Sequence, residues 1–83
     1  MTLVFSVAAF RQLSRLDKNV QQRIVKKLNF YCSQEDPLNY AEKLVDSRFG
    51  QWRFRIGDYR VLFDVANDEI TVLAVGHRKE IYR

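Results

Sequence analysis

The stretch WRFRIGDYR, from Trp52 to Arg60, constrains this chain more than any other. Trp52, Phe54 and Ile56 alternate with Arg53 and Arg55, the two-residue period of a half-buried strand. Gly57-Asp58 supplies a two-residue turn, after which Tyr59, Val61 and Phe63 resume the alternation. With those two residues as the turn, the register follows: Ile56 faces Tyr59, Arg55 faces Arg60, Phe54 faces Val61 and Arg53 faces Leu62. One face of the hairpin is then apolar, and the other carries Arg53, Arg55 and Arg60. Like charges directly opposed cost a strand pair about 0.2–1 kcal/mol, so stability alone gives no reason to keep Arg55 against Arg60. An anion between them offsets that cost, and the planar guanidinium fork suits a phosphate. The face is read as phosphate-binding, with nucleic acid as the first candidate ligand. The simpler alternative is a solvated basic face balanced by Asp58 and Glu80.

A second hairpin follows. Tyr59, Val61, Phe63 and Val65 share a face, Asn67-Asp68 makes the next turn, and Ile70, Val72 and Ala74 return on that same face. Starting from Ala66 opposite Glu69, the register sets Leu62 against Leu73, Arg60 against Val75 and Tyr59 against Gly76, and points His77 toward the arginines. The closing HRKEIYR brings Arg78, Lys79, Tyr82 and Arg83 to one end of the sheet.

Upstream, Thr2 to Ser6 reads as a short strand with Leu3 and Phe5 on one side, and Ser6 is placed to cap a helix. Val7, Phe10, Leu13 and Leu16 have helical spacing on one face. Asp17 offers a second N-cap before a stripe of Val20, Ile24, Leu28 and Tyr31, with Val25 beside it, so that two helices form a hairpin. Lys18, Arg23, Lys26 and Lys27 read as the solvated face of the second helix, an accessory nucleic-acid contact being the alternative. Pro37 stops that helix, and residues 37–50 are read mainly as a crossover, in which Lys43 and Arg48 add charge near the hairpin. The order is β-α-α-β-β-β: a single α+β domain over residues 1–83, with the helix hairpin on one face of a small, largely antiparallel sheet and a basic face left open.

Composition narrows the classes. A chain of 83 residues with 47% hydrophobic content can bury one modest core without staples. No apolar run approaches the ~20 residues of a membrane span, and the N-terminus has no signal-peptide pattern, so no membrane partner and a cytoplasmic location are expected. One cysteine, Cys32, and one histidine, His77, offer neither an internal disulfide nor a zinc site. The net charge of +4 favours an acidic or polyanionic partner.

The exposed strand positions lack the stacking aromatics of common RNA-binding sheets, which argues against static RNA display. An RNA-cleaving site needs groups that neutralise the scissile phosphate, an acid for the leaving 5′ oxygen and an acceptor for the 2′-hydroxyl proton. Arginines supply the first, and His77 and Tyr82 are the candidates for proton transfer. Without a second histidine there is no two-histidine mechanism, and the scattered acidic residues do not suggest a two-metal nuclease. No metal or other cofactor is expected.

The run WRFRIGDYRVLF, a polar turn and ITVLAVGHRKEIYR, preceded by Lys43-Leu44 and a two-helix hairpin, resembles the RelE/ParE superfamily of type II toxin–antitoxin toxins across essentially the whole chain. On the RelE side the resemblance implies a translation-inhibiting mRNA endonuclease. It acts in the ribosomal A site, through attack of the 2′-hydroxyl on the adjacent phosphate. Arg60 of GDYR and Arg78 of GHRKEIYR would stabilise the charge on that phosphate, and Tyr82 would be the catalytic or stacking aromatic. Lys43, Arg53, Arg55, His77, Lys79 and Arg83 would bind RNA or phosphate. Arg53 and Arg55 stand where RelE enzymes often carry lysines, and an arginine is a poor proton shuttle. ParE-type members instead poison DNA gyrase and generally lack the tyrosine near the end, so the basic cluster with Tyr82 favours RelE. A third alternative is an inactive toxin homologue that binds antitoxin as a corepressor. The resemblance also implies an acidic, RelB-like antitoxin partner, with operator DNA reached only through it. Leu62, Leu73 and Val75 are candidate antitoxin contacts or are buried beneath the tail.

Overall fold

Apolar side chains at alternate positions of three strands need a second layer, and two amphipathic helices provide it. The computed structural model describes residues 1–82, with Ser47 in its backbone only. Its strands are β1 (Thr2–Phe5), β2 (Glu42–Lys43), β3 (Trp52–Ile56), β4 (Tyr59–Ala66) and β5 (Glu69–His77). Helices α1 (Val7–Ser14) and α2 (Lys18–Ser33) lie between β1 and β2, with 3₁₀ turns at Pro37–Tyr40 and Ser47–Phe49. The sheet order is β1-β5-β4-β3-β2, antiparallel except for β1, which runs parallel to β5. The α+β class and the helix layer on one sheet face are as expected. The fifth strand, β2, is an addition: residues 42–43 of the expected crossover pair with Arg53 and Trp52.

The core joins Ile24, Leu28 and Tyr31 of α2 and Ala9 and Leu13 of α1 to Phe54, Ile56, Val61, Phe63, Ile70, Val72 and Val75 of the sheet. Its centre is an aromatic stack, Tyr31 on Phe54 at 4.6 Å and Phe54 on Phe63 at 4.4 Å between ring centroids. Ser6 caps α1 by accepting from the Ala9 N–H at 3.0 Å. Asp17 occupies the N-cap position of α2 but makes no side-chain cap bond; Gln21 instead ties the helix junction by donating to the carbonyls of Ser14 and Leu16.

The stripe on α1 differs from expectation. Leu13 is buried and Leu16 packs at the core margin, but Val7 and Phe10 are 68% and 61% exposed, and fully buried Ala9 takes their place. The small alanine side chain lets the helix turn that edge onto β5.

The β3–β4 register is the expected one at all four pairs, from Ile56 and Tyr59 to Arg53 and Leu62. The β4–β5 register is the expected one only near its turn, where Asn67 and Asp68 take φ of 52° and 63°. Leu73 is then the extra residue of a β-bulge, so Leu62 faces Ala74, Val61 faces Val75, Arg60 faces Gly76 and Tyr59 faces His77. One extra residue reverses the alternation downstream: Val75 enters the core, Ala74 moves to the open face, and His77 stands with Tyr59 on the helix side. Among the described residues, the β1 side of β5 has no strand neighbour beyond Phe5. The Ser6 hydroxyl donates to the Leu73 carbonyl, and the Gln12 side chain accepts from the Val75 N–H at 2.8 Å. Among the described residues no helix is long and apolar enough to cross a membrane.

Phe54→Ala is expected to cost about 3–5 kcal/mol. In urea the unfolding midpoint should fall with its slope unchanged; a loss below about 1 kcal/mol would show that the aromatic stack is not the centre of the core.

Candidate functional site

Because the side chains of a strand alternate, the residues that leave Phe54 and Val61 in the core hold Arg53, Arg55, Arg60 and Leu62 on the other face. Gly57 makes the connecting turn at φ +60°, the glycine-first pattern of a two-residue hairpin loop. The tail is then folded back over this face. The Arg78 N–H donates to the Asp58 carbonyl at 2.8 Å, and Ile81 closes over Gly76 of β5. Tyr82 reaches β3, where its hydroxyl accepts from Arg53 Nη1 at 2.7 Å and its ring meets Phe49 edge-to-face. A segment passing from β5 to β3 crosses β4, which accounts for Leu62 being only 1% exposed on an otherwise open face.

Arg60 sits deeper than its strand position suggests. It is 7% exposed, and its Nη1 donates to the carbonyls of Gly57 at 3.0 Å and Tyr59 at 2.9 Å, so the guanidinium is tucked into the hairpin turn. Burial pulls its pKa below the ordinary arginine value, and the charges of Arg55, Arg53 and Arg78 add to the shift. Folding thus disfavours the proton that Arg60 carries. The charged form destabilises the fold at every pH below its titration, and an anion brought against it recovers that loss. Among the described residues Arg60 has no acidic partner, whereas Arg53 and Arg55 share Glu42 at 3.3 and 3.6 Å and Arg78 pairs with Asp58 at 3.7 Å. Arg53 is shifted the other way, upward, chiefly by its hydrogen bond to Tyr82 and then by Glu42, against its own desolvation.

Six of the sequence-derived residues gather here or beside it: Arg53, Arg55, Arg60, Arg78 and Tyr82 around the face, and exposed Lys79 on the turn that follows β5. Lys43 does not, because it stands opposite Trp52 on the alternate side of the edge strand. His77 does not either. Its ring contacts Tyr59 at 5.5 Å, its Nδ1 accepts from the Lys79 N–H, and it lines a separate open cleft of about 510 Å³ with Gln12, Arg15 and Glu80. Arg83 lies outside the described residues. Sequence reasoning missed Glu42, whose place among the arginines depends on the two-residue β2, and Phe49, which supports the Tyr82 ring. Of Leu62, Leu73 and Val75, only half-buried Leu73 keeps access to solvent on this face. Among the described residues no group of three His, Cys, Asp or Glu side chains could hold a metal ion.

Replacing Arg55 by Gln is expected to stabilise the fold at low ionic strength by about 0.2–1 kcal/mol, the like-charge penalty of a directly opposed pair. The same substitution removes the exposed ion pair with Glu42, which is weak. In about 1 M salt, where the Debye length is about 3 Å, the difference should largely vanish. Destabilisation at both salt concentrations would mean that Arg55 and Arg60 are not in net repulsion.

A family model described as the ParE toxin of type II toxin–antitoxin systems matches residues 3–82. Toxin RelG of Mycobacterium tuberculosis is 31% identical over 99% of this chain and 95% of its own length. Toxin RelE3 of Methanocaldococcus jannaschii is 28% identical, with 99% and 96% covered. Among solved structures, a chain of the RelBE2 toxin–antitoxin complex from Mycobacterium tuberculosis superposes with a TM-score of 0.81 at 28% identity, covering 93% of this chain and 96% of that one. The isolated Escherichia coli RelE toxin shares the fold, with a TM-score of 0.71 at 22% identity over 98% of this chain and 89% of its own.

Proposed function

Because this chain belongs to the ParE toxin family of type II toxin–antitoxin systems, within the RelE/ParE superfamily, we propose that it is the toxin that cleaves mRNA in the ribosomal A site and so stops translation in the cytoplasm. The observation that carries this reading is the hydrogen bond that holds Tyr82 over β3, beside an arginine whose charge has no acidic partner among the described residues. Arg60 and Arg55 would bind the non-bridging oxygens of the scissile phosphate, with Arg78 at the rim, where the guanidinium charges would stabilise the negative charge that grows on those oxygens. The RNA's own 2′-hydroxyl is the nucleophile. Its oxygen bonds to phosphorus, the P–O5′ bond breaks, and the departing 5′ oxygen takes a proton. The Tyr82 oxygen accepts from Arg53 and so keeps its own O–H free to donate, which suits it to protonate that leaving group. The 2′-hydroxyl proton passes to water or to a ribosomal group, since among the described residues no histidine stands on this face.

The partner in the resting state would be an acidic antitoxin of the RelB type, as in the complexes in which the relatives were solved. Glu42 already sits between Arg53 and Arg55, and a partner's carboxylates would make the same kind of contact. Operator DNA would be reached through that antitoxin. The description of the matching family as ParE keeps gyrase poisoning as the second reading.

Expression of the chain without its antitoxin should arrest growth and leave messages cut within their reading frames. Arg60→Ala and Tyr82→Phe should each restore growth, and cleavage should fall about 10²–10⁴-fold in the tyrosine variant, the usual contribution of a general acid. Intact mRNA together with trapped gyrase–DNA cleavage complexes would decide for the second reading.

A further inference from the structure

The solvent side of α2 carries Arg23, Lys26, Lys27 and Phe30, spaced i, i+3, i+4 and i+7, so all four lie on one stripe. Together they line a concave patch of about 410 Å³ that includes no acidic residue. Among the described residues none of the three cations forms an ion pair. Phe30 is 48% exposed and in edge-to-face contact with Tyr31 and Tyr40, each at 5.9 Å between centroids. The Lys27 ammonium lies 6.0 Å from its ring centre. Binders of single-stranded nucleic acid combine these two elements, cations along the backbone and an exposed ring against a base.

This stripe joins the arginine face. The Arg23 guanidinium lies against the β3–β4 turn, with Nη2 3.0 Å from where a Cβ on Gly57 would stand, and the carbonyl of that same Gly57 accepts from Arg60. Arg23, Arg60 and Arg55 therefore surround one hairpin turn. From Arg23 the stripe runs about 10 Å along the helix to Phe30. Asp58, the one acid on the turn, is engaged by Arg78.

We infer that α2 is a second RNA subsite. The substrate strand passes from the arginine face over the Gly57-Asp58 turn, meets Arg23 and Lys27 through its phosphates, and stacks a flanking base on Phe30. This rests on the reading of the chain as an RNA-cleaving toxin and extends its binding site beyond the scissile phosphate. The cations suit any polyanion, and the exposed Phe30 ring among them selects RNA, because a base has a flat face to lay against it and an acidic side chain does not.

The test uses the full chain in a Tyr82→Phe background, which keeps RNA intact, and reads fluorescence anisotropy with a labelled diuridylate and hexauridylate. The hexamer should bind more tightly than the dimer. Phe30→Leu, which keeps apolar bulk without a ring, and Arg23→Ala should each weaken the hexamer about tenfold while leaving the dimer unchanged. Arg23→Ala should also lower the slope of log affinity against log salt by about 0.7 for the hexamer. Hexamer binding unchanged in both variants, equal weakening of dimer and hexamer, or an effect confined to a duplex RNA hairpin would each overturn the subsite. Dimer binding that ignores Arg55→Ala and Arg60→Ala would instead locate the failure in the arginine face, while the α2 variants still report on the track.

Discussion

The two-residue turn at Gly57-Asp58 is the constraint on which both faces of the sheet depend. It fixes Arg55 against Arg60 and, by the pleat, Phe54 against Val61. A slip of one residue would exchange the faces, sending Phe54 out of the stack with Tyr31 and Phe63 and driving guanidinium groups into the helix interface. The glycine serves more than conformation. Its φ of +60° makes the turn, its carbonyl anchors Arg60, and its missing side chain leaves space for Arg23. Core packing and the collection of charge are thus set by one backbone feature.

That dependence explains what could be read from the sequence. Between β3 and β4 the polar–apolar alternation and the glycine turn agree, so register, faces and the positions of three arginines were legible. Between β4 and β5 the second turn is just as clear, but the residues that follow, VLAV, are all apolar and carry no alternation to reveal a bulge at Leu73. Every misplacement downstream has that origin: Val75 assigned to the open face, Ala74 to the core, His77 to the arginines. The α1 stripe failed for a related reason, since Val7 and Phe10 fit helical spacing as well as Leu13 does, and only packing shows that small Ala9 is the residue turned inward. The strand β2 is two residues long, too short for any period to announce it, and with it went the placing of Glu42 and Lys43 on opposite sides.

Burial divides the labour among the arginines. Arg60 is nearly enclosed and satisfied by two carbonyls, which fix its direction without cancelling its charge. Arg55 reaches outward, while Arg53 is half-buried and held by Tyr82; the two share an exposed carboxylate, a contact weak enough for the proposed phosphate to displace. The face therefore combines a fixed positive centre, a second arginine held by Tyr82 and one adjustable arm, Arg55. In the proposed complex, preorganised charge of this kind would need little rearrangement when the anion arrived, and the repulsion between Arg55 and Arg60 would be relieved.

Arginine at position 53 has a consequence for the proposed chemistry. A lysine there could hold Tyr82 and could also exchange its own proton; a guanidinium can do only the former. With His77 carried by the bulge to the far side of the sheet and Lys79 out on the turn beyond β5, the phenol that Arg53 orients is, among the described residues, the proton-bearing group held over this face. The same hydrogen bond ties the C-terminal segment across β4 and shields Leu62, so the proposed proton donor and the cover of the sheet are one structural unit. An antitoxin that lifted this segment would take Tyr82 from the arginines and expose Leu62 in a single movement. Silencing the site and opening an apolar contact for the partner would then be the same event.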